Sequence, residues 1–526
     1  MAEHTKETKN NENKTADRSV DVREVVWQIL VERELHGTYS NVLIKRAQDR
    51  YASLPLTQRS FLKRLAEGTI EREIELDAVI RSHQSDPSKK IKPKVRCLLR
   101  MSLYQIFYMD SVPDYAACYE AVRLCKRKKL LQETGFVNGV LRSVCREKEA
   151  ALREGKEAVP TAVKEKPIRT RKSDAVIVVA GHRSKENERR GAAGGSLQSV
   201  ERQDMDPGLL ILEEKYSMPA EILQLWKEQL GEERLDSLCR AMLSVRPVCI
   251  RLDPRLSDGE KKDVLEAIEE TGTGIQKGKW AEDGYLLSHV PGLSSLPGFA
   301  EGKWTVQDES SQLIAQAAGL SGRKKDLSGA LEVYDLCAAP GGKTMLAAAL
   351  LPEGTVHAFD LTKEKTDKIR SGLGRMKLHN VLVEENDASN ERKELEGKAD
   401  LVLCDVPCSG LGVITRKRDI KYHVTAQKLR SLTTLQKKIV TNAAKVLKPG
   451  GLMMYSTCTI NRQENEKMVE YMAKKLGLVP EDLSPYLPEN FPGIEKNCVQ
   501  LFPDVHGTDG FFMARLRKKG GEEGRT

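Results

Sequence analysis

The chain of 526 residues carries 85 Lys and Arg against 76 Asp and Glu, a net charge of +9, with 40% hydrophobic and 31% charged residues. Such a length predicts about three domains, and the composition excludes a chain that is disordered throughout. No apolar run reaches the roughly 18 residues of a membrane span, and the polar start MAEHTKETKNNENKTADRS lacks the apolar centre of a secretory signal, so a cytoplasmic protein is expected.

Residues 1–18 read as a disordered tail. From Asp21 to Lys148 apolar residues recur at helix spacing: Val22, Val25, Val26, Ile29 and Leu30, then Phe61, Leu62 and Leu65, then Val95, Leu98, Leu99 and Leu103. Turn signals at Asp86-Pro87 and Val112-Pro113-Asp114 separate these stripes, so residues 19–149 are predicted to form an all-α domain. Periodicity then disappears. Residues 161–190 hold nine Lys/Arg against four Asp/Glu, and Gly191 to Ser196 is small and flexible. Residues 150–205 therefore read as a basic linker, a solvated spacer rather than a dedicated RNA contact. The run Ala175–Ala180 within it is too short to be a domain.

Residues 206–300 resume with helical segments at Ala220–Leu230 and Arg234–Leu243. Strand-like pieces at Val248–Leu252 and Tyr285–His289 follow, suggesting a small α+β accessory module. Across 301–519 short apolar runs stand at Leu331–Leu336, Thr355–Phe359, Val381–Glu384, Leu401–Cys404 and Leu452–Ser456. Amphipathic stretches at Lys343–Leu351, Thr362–Leu378, Ala426–Leu447 and Gln463–Leu476 separate most of them. That alternation predicts an α/β domain with a parallel, doubly wound sheet. Residues 520–526 read as a tail. Ligands of such sheets bind beyond the carboxyl ends of the strands, so the residues after each run carry the functional expectation.

The first run ends at Asp335 and is followed by Cys337, Ala338, Ala339, Pro340, Gly341, Gly342 and Lys343. Gly342-Lys343-Thr344 resembles the end of a phosphate-binding loop, but that motif needs Gly where Cys337 stands, and G-x-G-x-x-G is also absent. The second run ends in Asp360, the third is followed by Asn386-Asp387-Ala388, and the fourth ends in Cys404-Asp405. One acid at a strand end is as readily a helix cap. Four in succession point to an adenosine-containing ligand, whose ribose hydroxyls Asp360 is placed to accept.

Eleven cysteines spread from Cys97 to Cys498 without a C-x-x-C pair, beside nine histidines, predict neither a disulfide framework nor a zinc site. A reducing compartment follows, with most thiols serving as small core residues. Two stand apart. Cys408, in Pro407-Cys408-Ser409-Gly410, and Cys458, in Ser456-Thr457-Cys458-Thr459, follow the fourth and fifth runs. Neighbouring strands would bring both to one cleft as candidate nucleophiles.

These motifs resemble those of the RNA 5-methylcytosine methyltransferases, enzymes that use S-adenosylmethionine. The likeness spans Trp304 to Lys518. It includes Gln307-Asp308-Glu309-Ser310-Ser311, the Cys337–Lys343 loop, the Asp405 to Gly410 segment, Thr457-Cys458 with Glu464-Asn465-Glu466, and Asp509-Gly510-Phe511-Phe512. Val406 stands for a usual Ala, Arg418 for a usual Pro, and Arg251-Leu-Asp253 for a commoner Arg-x-Asn. In the N-terminal segment, Gly68, Leu98-Leu99-Arg100 to Tyr104, Val112-Pro113 and Phe136 to Arg142 resemble the NusB-type RNA-binding helical domain. The pair of domains is similar to that of the bacterial 16S ribosomal RNA cytosine-C5 methyltransferases.

The resemblance implies a Rossmann-like catalytic domain and a role for each motif. Cys458 is the nucleophile that adds to C6 of cytosine, Asp405 orients and protonates the base, and Cys408 assists elimination. S-adenosylmethionine would occupy the Cys337–Lys343 loop with Asp360, Asp387 and Asp405, and no metal is implied. Lys343 either balances the carboxylates or meets the substrate. The implied partner is RNA, as 16S rRNA or a small-subunit assembly intermediate, with no membrane and a monomeric enzyme. Transfer RNA or another ribosomal cytosine is the alternative substrate, and a non-catalytic assembly factor the alternative class.

Overall fold

The helix signals of the first 150 residues are realised as seven helices in the computed structural model, which describes residues 20–86, 88–155, 205–495 and 497–520. The expected tail 1–18, residues 156–204 of the expected linker with its run Ala175–Ala180, and residues 521–526 lie outside these. Two units result, Met1–Arg189 and Arg190–Thr526.

The N-terminal unit comprises α1 (Val22–His36), α2 (Ser40–Arg50), α3 (Leu56–Glu71), α4 (Glu73–Ser82), α5 (Pro93–Tyr108), α6 (Asp114–Arg127) and α7 (Thr134–Arg153). Asp21 caps α1 by accepting from the Arg23 and Glu24 N–H groups, and Pro93 opens α5, where its missing N–H costs nothing. α7 runs to Arg153, past the expected start of the linker at residue 150. The central helix α5 buries Leu98, Leu99 and Leu103. Gly68 of α3 lies against its Tyr104, since a β-carbon there would fall 1.9 Å from the Tyr104 ring. Arg100, buried, binds Glu34 at 2.8 Å, Glu73 at 2.9 Å and Asp77 at 2.5 Å.

The second unit opens with α8 (Pro207–Tyr216), α9 (Ala220–Leu230) and α10 (Leu235–Met242). Next come β1 (Val248–Leu252), α11 (Asp258–Glu269), β2 (Gly274–Lys277), β3 (Gly284–Ser288) and β4 (Trp304–Val306). The four strands form an antiparallel sheet in the order β2-β3-β1-β4. β4 falls inside the span expected for the catalytic domain yet completes this small sheet. α8–α10 do not share its core. Leu223, Trp226 and Leu238 are buried with Leu411, Ile414, Leu429 and Ile460, and Trp226 Nε1 donates to Ile460 O at 3.1 Å. An accessory module read from local pattern thus separates into a sheet and a helical pad that supports loops of the catalytic part.

The large sheet follows α12 (Glu309–Ala318). Its elements are β5 (Glu332–Asp335), α13 (Gly342–Leu350), β6 (Thr355–Asp360), α14 (Lys363–Met376), β7 (Val381–Glu385), β8 (Ala399–Asp405), α15 (Ala426–Val446), β9 (Leu447–Thr457) and α16 (Glu466–Leu476). It ends with β10 (Leu478–Glu481), β11 (Ile494–Glu495), β12 (Cys498–Leu501), α17 (Pro503–His506) and β13 (Phe511–Lys518). The order is β11-β12-β13-β9-β8-β5-β6-β7, with β10 on β13. β5 to β9 pair in parallel, as the alternation predicts, while β13 lies antiparallel on β9 and extends the sheet.

Strands buried on both faces read as continuous apolar runs. Val333, Leu401 and Leu403 pack with α12, α13 and α14, while Tyr334, Val402 and Cys404 pack with α15 and α16. No helix among the described residues is long and apolar enough to cross a membrane.

Candidate active site

The strand order reverses between β5 and β8, since β6 and β7 extend one side and β9 the other. A crevice opens at such a point, above the carboxyl ends of the strands. Asp335, Asp360, Asn386-Asp387 and Asp405 stand at or just past the ends of β5, β6, β7 and β8. The sheet sets them in the spatial row Asp405, Asp335, Asp360, Asp387.

The loop Cys337–Lys343 leaves β5, passes a cis Ala339-Pro340 peptide and enters α13. Gly341 holds φ +105°, a conformation that a side chain resists. Ala338 N donates to Phe359 O at 2.8 Å and Ala339 N to Asp360 Oδ2 at 2.9 Å, tying the loop to β6. Burial pushes the Cys337 thiol well up, so it stays protonated. Asp360 also accepts from Leu361 N at 2.7 Å and Lys365 Nζ at 2.9 Å. With about four acceptor sites on a carboxylate, one remains, and the Lys365 chain is half-exposed and exchangeable. Asp387 accepts from Ser389 N at 2.9 Å and Ser389 Oγ at 2.7 Å, a turn cap at the far end of the row. The donor and acceptor chemistry along this edge fits an adenosyl ligand. Backbone groups and Gly341 stand over β5, and a carboxylate with acceptor capacity stands over β6.

Asp335 differs from its neighbours. It is buried, accepts from Thr344 Oγ1 at 2.6 Å and leaves its second oxygen unpartnered; burial raises its pKa to about 7. The hydrogen bond ties the end of β5 to α13, a structural use for an acid that the sequence pattern groups with ligand contacts.

Lys343 Nζ reaches across the crevice to Asp405 Oδ2 at 2.7 Å, and Ser456 Oγ donates to Asp405 Oδ1 at 2.8 Å. Of the two roles open to Lys343, this is the geometry of balancing a carboxylate. Its ammonium also lies 5.2 Å from the Phe511 ring centre.

The two thiols meet. Cys408 Sγ and Cys458 Sγ, 50 residues apart in sequence, are 3.1 Å apart and both half-buried. The hydrogen bond from Cys408 lowers the Cys458 pKa; burial and Asp405 oppose this, and Lys417 and Lys343 support it. The same bond, together with burial, drives Cys408 well up. One thiol is thus disposed to be the thiolate and the other to donate to it.

Glu464 belongs to the Glu464-Asn465-Glu466 segment of the resemblance, which gives it no role. The structure buries it completely between the two cysteine loops. Six polar residues stand in a row from Asn461 to Glu466, at the start of the amphipathic stretch Gln463–Leu476, and nothing in that spacing marks Glu464 for burial. Among the described residues there is no His, Cys, Asp and Glu grouping of metal-site form.

Residues 326–517 match the family described as 16S rRNA methyltransferase RsmB/F, and residues 20–146 match the NusB family. Probable ribosomal RNA small subunit methyltransferase B of Bacillus subtilis (strain 168) is 31% identical over 508 residues, covering 96% of this chain and 100% of the relative. Ribosomal RNA small subunit methyltransferase B of Pseudomonas syringae pv. tomato is 28% identical over 467 residues, covering 88% and 90%. Among solved structures, the one titled crystal structure of PH0851 superposes with a TM-score of 0.67 at 22% identity, covering 95% of this chain and 99% of that one, a likeness of fold.

Proposed function

Because the chain belongs to the 16S rRNA methyltransferase RsmB/F family and is an S-adenosylmethionine-dependent RNA methyltransferase, we propose that it methylates C5 of one cytosine in 16S ribosomal RNA, cytosine 967, through Cys458. The observation that carries this reading is the 3.1 Å approach of Cys408 and Cys458 beside the Lys343–Asp405 pair.

C5 of cytosine is a weak carbon nucleophile. Addition of the Cys458 thiolate to C6 makes the ring an enamine and splits one hard step into two easier ones. Asp405 is assigned to N3, where it orients the ring and, binding the base in its protonated form, delivers the proton that offsets the charge built up as C6 is attacked. Lys343, ion-paired to Asp405, balances that carboxylate when no base is bound. Cys337–Lys343 with Asp360, Asp387 and Asp405 would hold S-adenosylmethionine, which when bound would supply an electrophilic methyl to the activated C5. Cys408, within reach of Cys458, assists the elimination that frees it, in which the C5 proton is lost to water as the C6–sulfur bond breaks and Cys458 leaves as the thiolate. The target base stands in a loop or is extruded, because a duplex hides C6.

RNA carrying 5-fluorocytidine at the target tests the reading by trapping the covalent adduct. Wild type should accumulate the adduct and Cys458→Ser none, while Cys408→Ser should still attack cytidine but release it slowly. An adduct formed by Cys458→Ser would remove the nucleophile assignment, and free turnover by Cys408→Ser would remove the elimination role. Bisulfite mapping of 16S RNA with and without the gene separates this target from transfer RNA and other ribosomal cytosines.

A further inference from the structure

Glu464 is fully buried between β9 and α16, and its carboxylate receives four donors. Oε1 accepts from Ser409 N at 2.8 Å and Gln436 Nε2 at 3.0 Å; Oε2 accepts from Ser409 Oγ at 2.6 Å and Asn461 Nδ2 at 2.8 Å. Ser409 follows Cys408 directly. Its hydroxyl also meets Thr459 Oγ1 at 2.6 Å, and Thr459 follows Cys458. Gln436, from α15, holds Pro407 O at 2.9 Å on the other side of Cys408. Asn465 accepts from Thr457 Oγ1 at 2.6 Å and donates to Thr459 O at 3.1 Å, so both neighbours of Cys458 are held too. Each thiol therefore stands on a segment secured on both sides, and Glu464 joins the two.

We propose that Glu464 is the positioning residue that holds Cys408 against Cys458, using the acceptor-only character of its carboxylate to clamp the Cys408 loop to the Cys458 loop. A neutral amide at this position would present N–H to one of the two donor pairs, and the backbone N–H of Ser409 cannot reverse its polarity. A buried donor left unpaired favours a shift of the loop that carries it. Movement of the Ser409 segment carries Cys408 with it, and Cys458 then loses the hydrogen bond that favours its thiolate. The other charged groups acting on Cys458 are Asp405, Lys343 and Lys417, and none of them contacts Glu464 by a hydrogen bond or ion pair. The inference rests on the proposed use of Cys458 only for its catalytic consequence; the geometry can be tested without RNA.

The test is the pH dependence of Cys458 alkylation by iodoacetamide in the full-length protein, read by peptide mass spectrometry. Glu464→Gln is expected to raise the alkylation midpoint by about one pH unit, a tenfold change in the thiolate equilibrium. kcat should fall about tenfold or more, with the KM for RNA and the Kd for S-adenosylmethionine within about twofold. In a Cys408→Ala background Glu464→Gln should shift the midpoint no further, because its effect passes through Cys408. Should Glu464→Gln fail to fold, Ser409→Ala removes a single donor and is expected to shift the midpoint in the same direction by less. An unchanged midpoint, or an equal shift with and without Cys408, overturns the positioning role. Failure of the nucleophile assignment would show elsewhere, as an adduct formed by Cys458→Ser, and would leave the alkylation profile as it is.

Discussion

Gly412 lies where two loops of the active site meet, and adding one methyl group there tests how tightly the Cys458 loop must be held. Its N–H donates to Cys458 O at 3.0 Å, and its carbonyl accepts from Gly510 N at 2.9 Å. A β-carbon at this position would fall 1.9 Å from Gly510 O and 2.9 Å from Cys458 O. Close carbon–oxygen contacts need about 3.3 Å, so Gly412→Ala must open the gap to Gly510 by more than about 1 Å. Gly510 has little room to retreat, because the space beside it is filled by Ile460. The displacement therefore reaches the Cys458 carbonyl and the segment that runs from it to Ile460. Misplacing a reacting group by about 1 Å costs about 10²-fold in rate, and overpacking costs about 1–3 kcal/mol of stability. Single-turnover methyl transfer should accordingly fall about 10²-fold, while S-adenosylmethionine binding, which we assign chiefly to the loop after β5, stays within about twofold. Retention of wild-type single-turnover rate by a folded Gly412→Ala protein would refute the claim that this contact sets the position of Cys458.

Two further predictions concern buried charge. The Asp335 pKa is raised by burial from 3.8 to about 7. The folded form thus keeps a proton that the unfolded chain releases, and stability falls as pH rises from about 4 to about 7, then stays reduced. Asp335→Asn should flatten the pH dependence of the urea midpoint between about pH 5 and 8, gaining at most about 4 kcal/mol at the upper end; an unchanged slope would sink this account. In the N-terminal unit, Arg100→Met strands Glu34, Glu73 and Asp77, at a cost of about 3–5 kcal/mol near pH 7. Against the burial that would raise it, Arg100 and Arg33 hold the Glu73 pKa down at about 2. The stability this lends is present above about pH 4.5 and is lost as pH falls through about 2. The variant's deficit in thermal unfolding should therefore shrink at about pH 4, and a deficit independent of pH would contradict it.

The sequence by itself determined what local periodicity and strand ends can carry. The helical stripes of residues 21–148 and the five apolar runs of the catalytic part became helices and parallel strands, because burial on one face or two leaves its own spacing in the chain. The candidate site was legible for the same reason: in a doubly wound sheet the residues just after each run form the crevice, so Lys343, Asp405, Cys408 and Cys458 could be picked out as candidates without knowing which strands are neighbours. Only the tertiary structure decided the pairings. The strand order placed Asp405 opposite Lys343 and brought two thiols 50 residues apart to 3.1 Å. Burial gave Asp335, one of four acids at successive strand ends, a hydrogen bond that ties β5 to α13, and made Glu464, near the start of an amphipathic stretch, the centre of a four-donor cluster. α8–α10, which look like part of a separate module, became a support for the loops around Leu411 and Ile460. None of these leaves a local signature, because each depends on which distant groups arrive to fill a carboxylate's acceptor sites or cover an apolar face, and that is set by packing rather than by spacing along the chain.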